Sequence, residues 1–290
     1  MRLFVRLLLV SSICLSAVQS AWADEATDEM VVQGVYTKDN WPLEVVNRPL
    51  TLAAGMAEIG GDSLRIGISG GEAFDAWEPI LLAPELRYGL SGQLQLGITH
   101  TNHSFFPPAG FCVSGEDNKC PKAYNAIGAE AEYALTRGGN VNLSARGGLT
   151  SGRFDPDFAL GLTAGLEIRF RGGSIAFIVD PNVYIGIVER DTFPFGMADD
   201  SHPDYLFVPA TLQYQFNTQA AFYLVSGLNT PLKDMGDFYR IPAGLGAIYA
   251  LNNRMDAGLE LNFDNVAGKD FGTVEKFDER YIIARIAIRI

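Results

Sequence analysis

Two short motifs in this chain carry side chains that could hydrolyse a carbonyl compound. Asp155 and Asp157 flank a proline, and Asp200 lies two residues before His202. His202 could act as general base toward water, with Asp200 orienting its ring and the other two carboxylates holding the water. The prolines in and beside these motifs equally fit ordinary turns. Hydrolysis therefore requires a fold that brings both motifs to one site.

A second possible nucleophile and base are Ser104 and His103, close to His100. Neighbouring residues of a strand point to opposite faces, so Ser104 and His103 could not face each other there. Histidines held by loop hydrogen bonds are the better interpretation.

The two cysteines beyond the N-terminal region, Cys112 and Cys120, are separated by seven residues in a loop rich in proline, glycine and asparagine. In an oxidising compartment this spacing predicts a disulfide that closes the loop. The chain shows no zinc, calcium or phosphate-binding motif of standard form, so we expect no metal and no cofactor.

The N-terminus is typical of an export signal. Arg2 and Arg6 precede an apolar stretch, 7–18, and Ala21-Trp22-Ala23 forms a small-x-small cleavage pattern. The apolar stretch is shorter than the ~20 residues that span a bilayer as a helix. We expect a signal peptide at 1–23, a periplasmic segment at 24–48 and one domain at 49–290.

The net charge of −12 argues against nucleic acid as a partner, because a negative surface repels phosphates. Removal of the signal takes away two arginines and makes the chain more acidic still.

The rest of the chain alternates between apolar and polar residues with a period of two, which is typical of strands with two different faces. The stretch 158–170 shows the pattern most clearly. An all-β fold of about twelve strands follows, with the predicted strands at 55–69, 80–90, 92–101, 123–136, 139–150, 158–170, 173–188, 205–216, 219–228, 239–250, 253–264 and 280–290. Gly60 and Gly61 could split the first strand.

Short and long connections alternate along these strands. Five are tight and rich in turn-forming residues, while the segments 70–79, 102–122, 151–157, 189–204, 229–238 and 265–279 are longer. This alternation predicts a closed antiparallel transmembrane barrel with short periplasmic turns and long extracellular loops.

The polar face of the strands predicts that charges line the lumen. All six lysines lie outside the strands, whereas this face carries arginines and carboxylates in equal number, a balance suited to ion pairs in a confined lumen. Glycines on the same face leave space there. The predicted lumen-lining residues are Glu130, Glu132, Arg146, Glu167, Arg169, Asp180, Glu260 and Arg285.

Aromatic residues on the apolar face gather near the tight turns. They predict a girdle at the periplasmic membrane interface, formed by Tyr88, Tyr133, Phe170, Tyr214, Phe216 and Tyr249.

In these patterns the chain resembles small Gram-negative outer-membrane β-barrel proteins, including an alternating last strand that ends here in Ile290 rather than an aromatic residue. The resemblance implies that the protein lies in the outer membrane, contacts its lipid and uses the barrel-assembly machinery. The leading hypothesis is a passive narrow channel for small polar solutes or a structural barrel, and not an enzyme.

Two alternatives remain open. The Asp155/Asp157 and Asp200/His202 motifs resemble those of omptin-type surface proteases, although here they fall on adjacent loops of a barrel with more strands. The loop 102–122, with its aromatic residues, could instead serve adhesion or recognition.

Overall fold

The structure is a computed structural model that describes residues 36–60, 64–67, 80–100, 111–114, 127–153, 158–189, 204–233, 235–269, 277 and 280–290. Within these ranges the chain is all-β, apart from one 3₁₀ turn at Val45–Asn47. None of the residues described forms a helix that is long and apolar enough to cross a bilayer.

All the strands belong to one antiparallel sheet. Their bounds are β1 Ala57–Gly60, β2 Leu64–Gly67, β3 Ile80–Leu82, β4 Glu85–Gly89, β5 Leu94–Thr99, β6 Phe111–Ser114, β7 Ile127–Ala134, β8 Val141–Arg153, β9 Ala159–Gly172, β10 Ile175–Val179, β11 Asn182–Val188, β12 Asp204–Gln215, β13 Ala220–Pro231, β14 Ala243–Asn252, β15 Met255–Phe263 and β16 Arg280–Arg289.

The sheet closes on itself because the last strand pairs with the first. β16 pairs with β15 on one side and with β1 and β2 on the other, in a register that places Glu58 opposite Arg289 and Gly67 opposite Tyr281. The pairs β1/β2, β3/β4, β5/β6 and β10/β11 each occupy one strand position of the sheet, so the sixteen strands make a barrel of twelve. Closure pairs the first strand with the last, as a sheet surrounded by hydrocarbon requires. The predicted fold class is confirmed.

The interruptions have local causes. Pro84 and Pro181 have no N–H group to donate to a neighbouring strand, and they separate β3 from β4 and β10 from β11. At Gly60, the last residue of β1, a Cβ atom would lie 2.9 Å from the carbonyl oxygen of Ile286 on the closing strand. The first and last strands therefore approach each other closely at a position where the sequence supplies a glycine.

One prediction about the loops is wrong in part. The stretch 102–122, predicted to be loop throughout, contains β6, which pairs with β3. The tight turns agree with the sequence, and two of them use glycines in the left-handed region, Gly139 with φ +77° and Gly173 with φ +53°.

The faces of the sheet are oriented as predicted, with apolar residues outside and charges inside. Leu162, Leu224, Leu245 and Leu259 are exposed on the outer face, whereas Asp256 and Glu260 are buried. Arg254, which shares the parity of the inward face, is exposed, because it lies in the turn before β15.

Candidate functional site

The described part of the N-terminal region lies inside the barrel, at the end that carries the short turns. We name residues 36–56 the N-terminal segment. Its backbone and side chains bond to the wall: Thr51 Oγ1 donates to the carbonyl of Gly92 at 2.9 Å, and the N–H of Leu52 donates to Gln95 Oε1 at 3.0 Å. The domain boundary predicted between residues 48 and 49 falls within this segment.

A small apolar cluster holds the segment together. Tyr36, Trp41, Leu52, Ala53 and Met56 are buried against one another. The rings of Tyr36 and Trp41 meet edge to face, with centroids 6.4 Å apart. The segment thus has a small apolar core of its own inside a polar lumen. Burying apolar side chains against one another, away from water, lowers the free energy.

Arg48 is the main ionic contact between the segment and the wall. Its Nη1 lies 2.6 Å from Asp256 Oδ2, and its Nη2 lies 2.8 Å from Asp256 Oδ1, a bidentate pair. Nε and Nη2 also donate to the carbonyls of Pro42 and Leu43, both at 3.1 Å. Burial lowers the pKa of the Arg48 guanidinium from its ordinary value, while the hydrogen bond and negative charge of Asp256 raise it.

Asp256 also forms an ion pair with a second arginine, which belongs to the barrel wall. Arg289 Nη2 lies 2.5 Å from Asp256 Oδ2, and Arg289 Nε lies 2.7 Å from Glu58 Oε2. The guanidinium of Arg289 also lies 5.7 Å from the centroid of the Trp41 ring, a cation–π contact with the segment. A chain of alternating charges therefore joins β1, β15 and β16 to the segment.

Two arginines of β9 donate hydrogen bonds to backbone carbonyls of the segment, so that here the wall is the donor and the segment the acceptor. Arg169 Nη1 donates to the carbonyl oxygen of Arg48. Arg171 Nη1 donates to the carbonyl of Asn47 at 3.2 Å, and its Nη2 to the carbonyl of Gly139 at 2.6 Å. Residues 47 and 48 thus offer a cation to one wall of the lumen and carbonyl oxygens to another.

Next to the segment the lumen contains a polar cavity of about 340 Å³. Its charged lining residues are Arg48, Glu58, Arg87, Glu132, Arg146, Glu167, Arg169, Asp180, Arg285 and Arg289. Six of the eight predicted lumen residues are among them, whereas Glu130 and Glu260 do not line this cavity.

Most of the lining charges are paired. Arg146 contacts Asp180 closely and lies 3.8 Å from Glu167. Glu132 accepts hydrogen bonds from Gln95 Nε2 at 2.7 Å and from Ser144 Oγ at 2.6 Å. The cavity wall is therefore a fixed polar network.

Glu260 belongs to a separate cluster. It accepts from Tyr223 Oη at 2.9 Å, Arg285 Nη2 at 2.6 Å and Asn262 Nδ2 at 2.9 Å. A Cβ atom at position 246 would overlap the Tyr223 ring, so Gly246 makes room for this cluster. The space that inward glycines were expected to leave open is filled here by a neighbouring aromatic ring.

The residues of the predicted girdle lie near the short turns, and their place at a membrane interface stays a prediction. Tyr88, Tyr133, Tyr214, Phe216 and Tyr249 are exposed on the outer face. Phe170 is half-buried in β9, opposite Phe177 of β10.

The proposed hydrolytic residues Asp155, Asp157, Asp200 and His202 lie outside the described residues, as do His103 and Ser104. Cys120 also lies outside them, and no side chain is described for Cys112, so the predicted disulfide stays a prediction. His100 is buried, with its Nδ1 against the carbonyl oxygen of Pro84, as expected of a histidine held by hydrogen bonds. The described residues contain no group of three His, Cys, Asp or Glu side chains that could hold a metal.

Sequence reasoning left open whether the N-terminal segment enters the lumen. One signal was available, because Trp41, Val45 and Val46 are more apolar than a water-exposed tail requires. Glu58 was missed, since it lies at the start of the least regular strand.

Comparisons with known proteins give matches among solved structures alone. No protein-family model and no curated protein matches the chain. Among solved structures it is similar to the NanC porin (12% identity, covering 79% of this chain and 98% of that one, TM-score 0.47). It is also similar to an outer-membrane channel from Pseudomonas putida F1 (13%, 83% and 97%, TM-score 0.49) and to Salmonella typhi OmpF in complex with daunomycin (9%, 81% and 96%, TM-score 0.42).

The chain has the fold of an outer-membrane β-barrel. That assignment rests on the closed strand pairing and the outward apolar face of the molecule itself.

Proposed function

We propose that this outer-membrane barrel is a narrow channel for small polar solutes, which the N-terminal segment keeps closed at the short-turn end. The observation that carries the proposal is the cavity of about 340 Å³ within the lumen, lined by arginines and carboxylates. This volume falls at the lower end of the range of about 300–1,000 Å³ typical of sites for small molecules. A purely structural barrel needs no such charged space.

The outer face supports a position in the outer membrane. Exposed leucines and isoleucines cover it, and tyrosines and phenylalanines follow near the short turns. The signal peptide predicted at 1–23 provides export to the periplasm, and insertion from there requires the barrel-assembly machinery. The proposal involves no covalent step and no cofactor.

The segment supports a closed resting state. It occupies the lumen beside the cavity and bonds to three parts of the wall, at Asp256, at Arg169 and Arg171, and at Gly92 and Gln95. We expect solutes to pass only when these contacts open, because the segment and its packed apolar cluster lie at this end of the lumen.

Ion conductance across planar bilayers tests the proposal. The variant Arg48→Asp places a carboxylate next to Asp256, and the repulsion should release the segment. We expect frequent, stepwise currents from this variant and rare or small ones from the wild type. Arg254→Ala removes an exposed arginine near the same turns and serves as the matched control, with wild-type behaviour expected. Absence of current from a folded Arg48→Asp barrel, with heat-modifiable migration as the folding check, would leave only a structural role.

A further inference from the structure

One residue of the segment forms hydrogen bonds to two opposite walls of the lumen. The guanidinium of Arg48 forms the bidentate pair with Asp256 on β15, while its carbonyl accepts from Arg169 on β9. The adjacent carbonyl of Asn47 accepts from Arg171. The barrel wall therefore presents a carboxylate that binds a guanidinium and, across the lumen, guanidiniums that bind oxygen atoms.

Two of the wall groups, Asp256 and Arg171, are also bonded to the barrel itself. Asp256 bonds to Arg289, which in turn bonds to Glu58, and Arg171 also bonds to the carbonyl of Gly139. All four side chains belong to paired strands. A receptor built on strands keeps its geometry when its occupant leaves, and such preorganisation favours binding.

We propose that this part of the lumen is a binding site for a small solute that carries both a guanidinium and a carboxylate, such as free arginine or an arginine-containing dipeptide, and that Arg48 occupies it from within the chain. The inference rests on the proposed channel, because the solute must enter the lumen. Arg48 and Arg169 both line the 340 Å³ cavity, so a solute in the cavity is already next to the site.

The chemistry of the contacts sets the ligand class. A guanidinium can donate two parallel hydrogen bonds to the two oxygens of Asp256, which an ammonium group cannot reproduce. A solute carboxylate offers Arg169 and Arg171 two charged oxygens in place of two neutral carbonyls, and charge-assisted hydrogen bonds are the stronger kind. The bonds from Arg48 to Pro42 and Leu43 lie within the segment and leave with it, so they are not part of the site.

Competition between solute and segment has a direct consequence. Solute and Arg48 cannot occupy the site together, so the apparent affinity of the wild type is reduced by the fraction of molecules whose segment is docked. Release of the segment by Arg48→Asp should therefore tighten solute binding by at least about tenfold.

Calorimetric titration of the full-length protein in detergent tests the site without reference to current. L-arginine is the probe, L-citrulline lacks the charge of the guanidinium, and agmatine lacks the carboxylate. We expect Arg48→Asp to bind L-arginine, and to bind each of the other two at least about tenfold more weakly, since each loses a charge-assisted pair. Asp256→Asn in the Arg48→Asp chain should abolish binding, whereas Asp237→Asn, which changes an exposed carboxylate, should leave it unchanged.

Arg48→Gln is the second variant, used if Arg48→Asp does not fold, and the same order of affinities is expected for it. Equal affinity for L-arginine and L-citrulline, or no binding by either folded variant, would overturn the inference. The two proposals fail separately. Currents without L-arginine binding would remove the site and leave the channel, while binding without currents would leave the site and remove the channel.

Discussion

Two carboxylates on the same strand differ in where their bonding partners come from. Asp256 and Glu260 both belong to β15, both point inward and both are buried. Each takes an arginine from β16, Arg289 for Asp256 and Arg285 for Glu260. The other hydrogen-bond donors to Glu260, Tyr223 and Asn262, are also wall residues. Asp256 instead accepts from Arg48, which belongs to the N-terminal segment.

The difference separates a permanent contact from a conditional one. The Glu260 cluster persists whatever the segment does, because all its members are strand residues. The Asp256 cluster is complete only while the segment is docked, so the free energy of its ion pairs contributes to docking. The same strand thus carries a structural cluster and, four residues away, the anchor of a removable part.

The largest effect is expected from Asp256→Ala, which removes the carboxylate shared by Arg48 and Arg289. An arginine left buried without its partner costs about 3–5 kcal/mol, so the segment should leave the lumen. Chymotrypsin cleavage after Leu52, which is buried in the docked state, measures release. Cleavage after the exposed Phe277 serves as the internal control.

Glu260→Ala is the matched variant for that experiment. It should lower the stability of the barrel, yet leave Leu52 as protected from chymotrypsin as in the wild type. Equal cleavage after Leu52 in the two alanine variants would show that the clusters are not independent.

A smaller effect is expected from Arg48→Lys, which keeps the charge but loses the bidentate geometry. The loss of one charge-assisted hydrogen bond should weaken docking by roughly 1.5–3 kcal/mol. Trp41 fluorescence reports docking in a Trp77→Phe background, where Trp41 is the only tryptophan after residue 23. The midpoint of segment release in urea should fall below that of the same background with Arg48 intact, and an unchanged midpoint would contradict the bidentate contact.

Tyr223→Phe tests the permanent cluster with a single atom. The substitution removes the hydrogen bond to Glu260 but keeps the ring 5.5 Å from the Arg285 guanidinium. Because Glu260 retains two other donors, we expect a loss of about 1 kcal/mol in the free energy of unfolding. Segment release, followed by Trp41 fluorescence, should be unchanged. A shift in release would mean that the two clusters communicate along β15.

The contrast between the clusters also shows what the sequence could predict. Period-two alternation placed Asp256 and Glu260 on the inward face, because sidedness depends only on local parity. The partner of Asp256 was not predictable, because Arg48 lies 208 residues away and its segment has no strand period. Pro42 and Pro49 disrupt any regular pattern there, and docking is fixed by scattered side-chain bonds rather than by a ladder. Local periodicity thus predicted the wall, while the contents of the lumen depended on long-range contacts.

The smallest effect is expected from Trp41→Phe, which separates ring packing from hydrogen bonding at the anchor. The indole N–H of Trp41 has no hydrogen-bond partner among the described residues, so its loss removes no contact of this kind. A phenyl ring retains a weaker cation–π contact with Arg289, and docking should weaken by only about 0.5 kcal/mol. Trp41→Ala removes the whole buried ring and should cost about 3 kcal/mol or more. Chymotrypsin cleavage after Leu52 should therefore rise slightly for Trp41→Phe and strongly for Trp41→Ala. Equal rates would mean that the ring face does not hold Arg289, and that the segment is anchored through Arg48 alone.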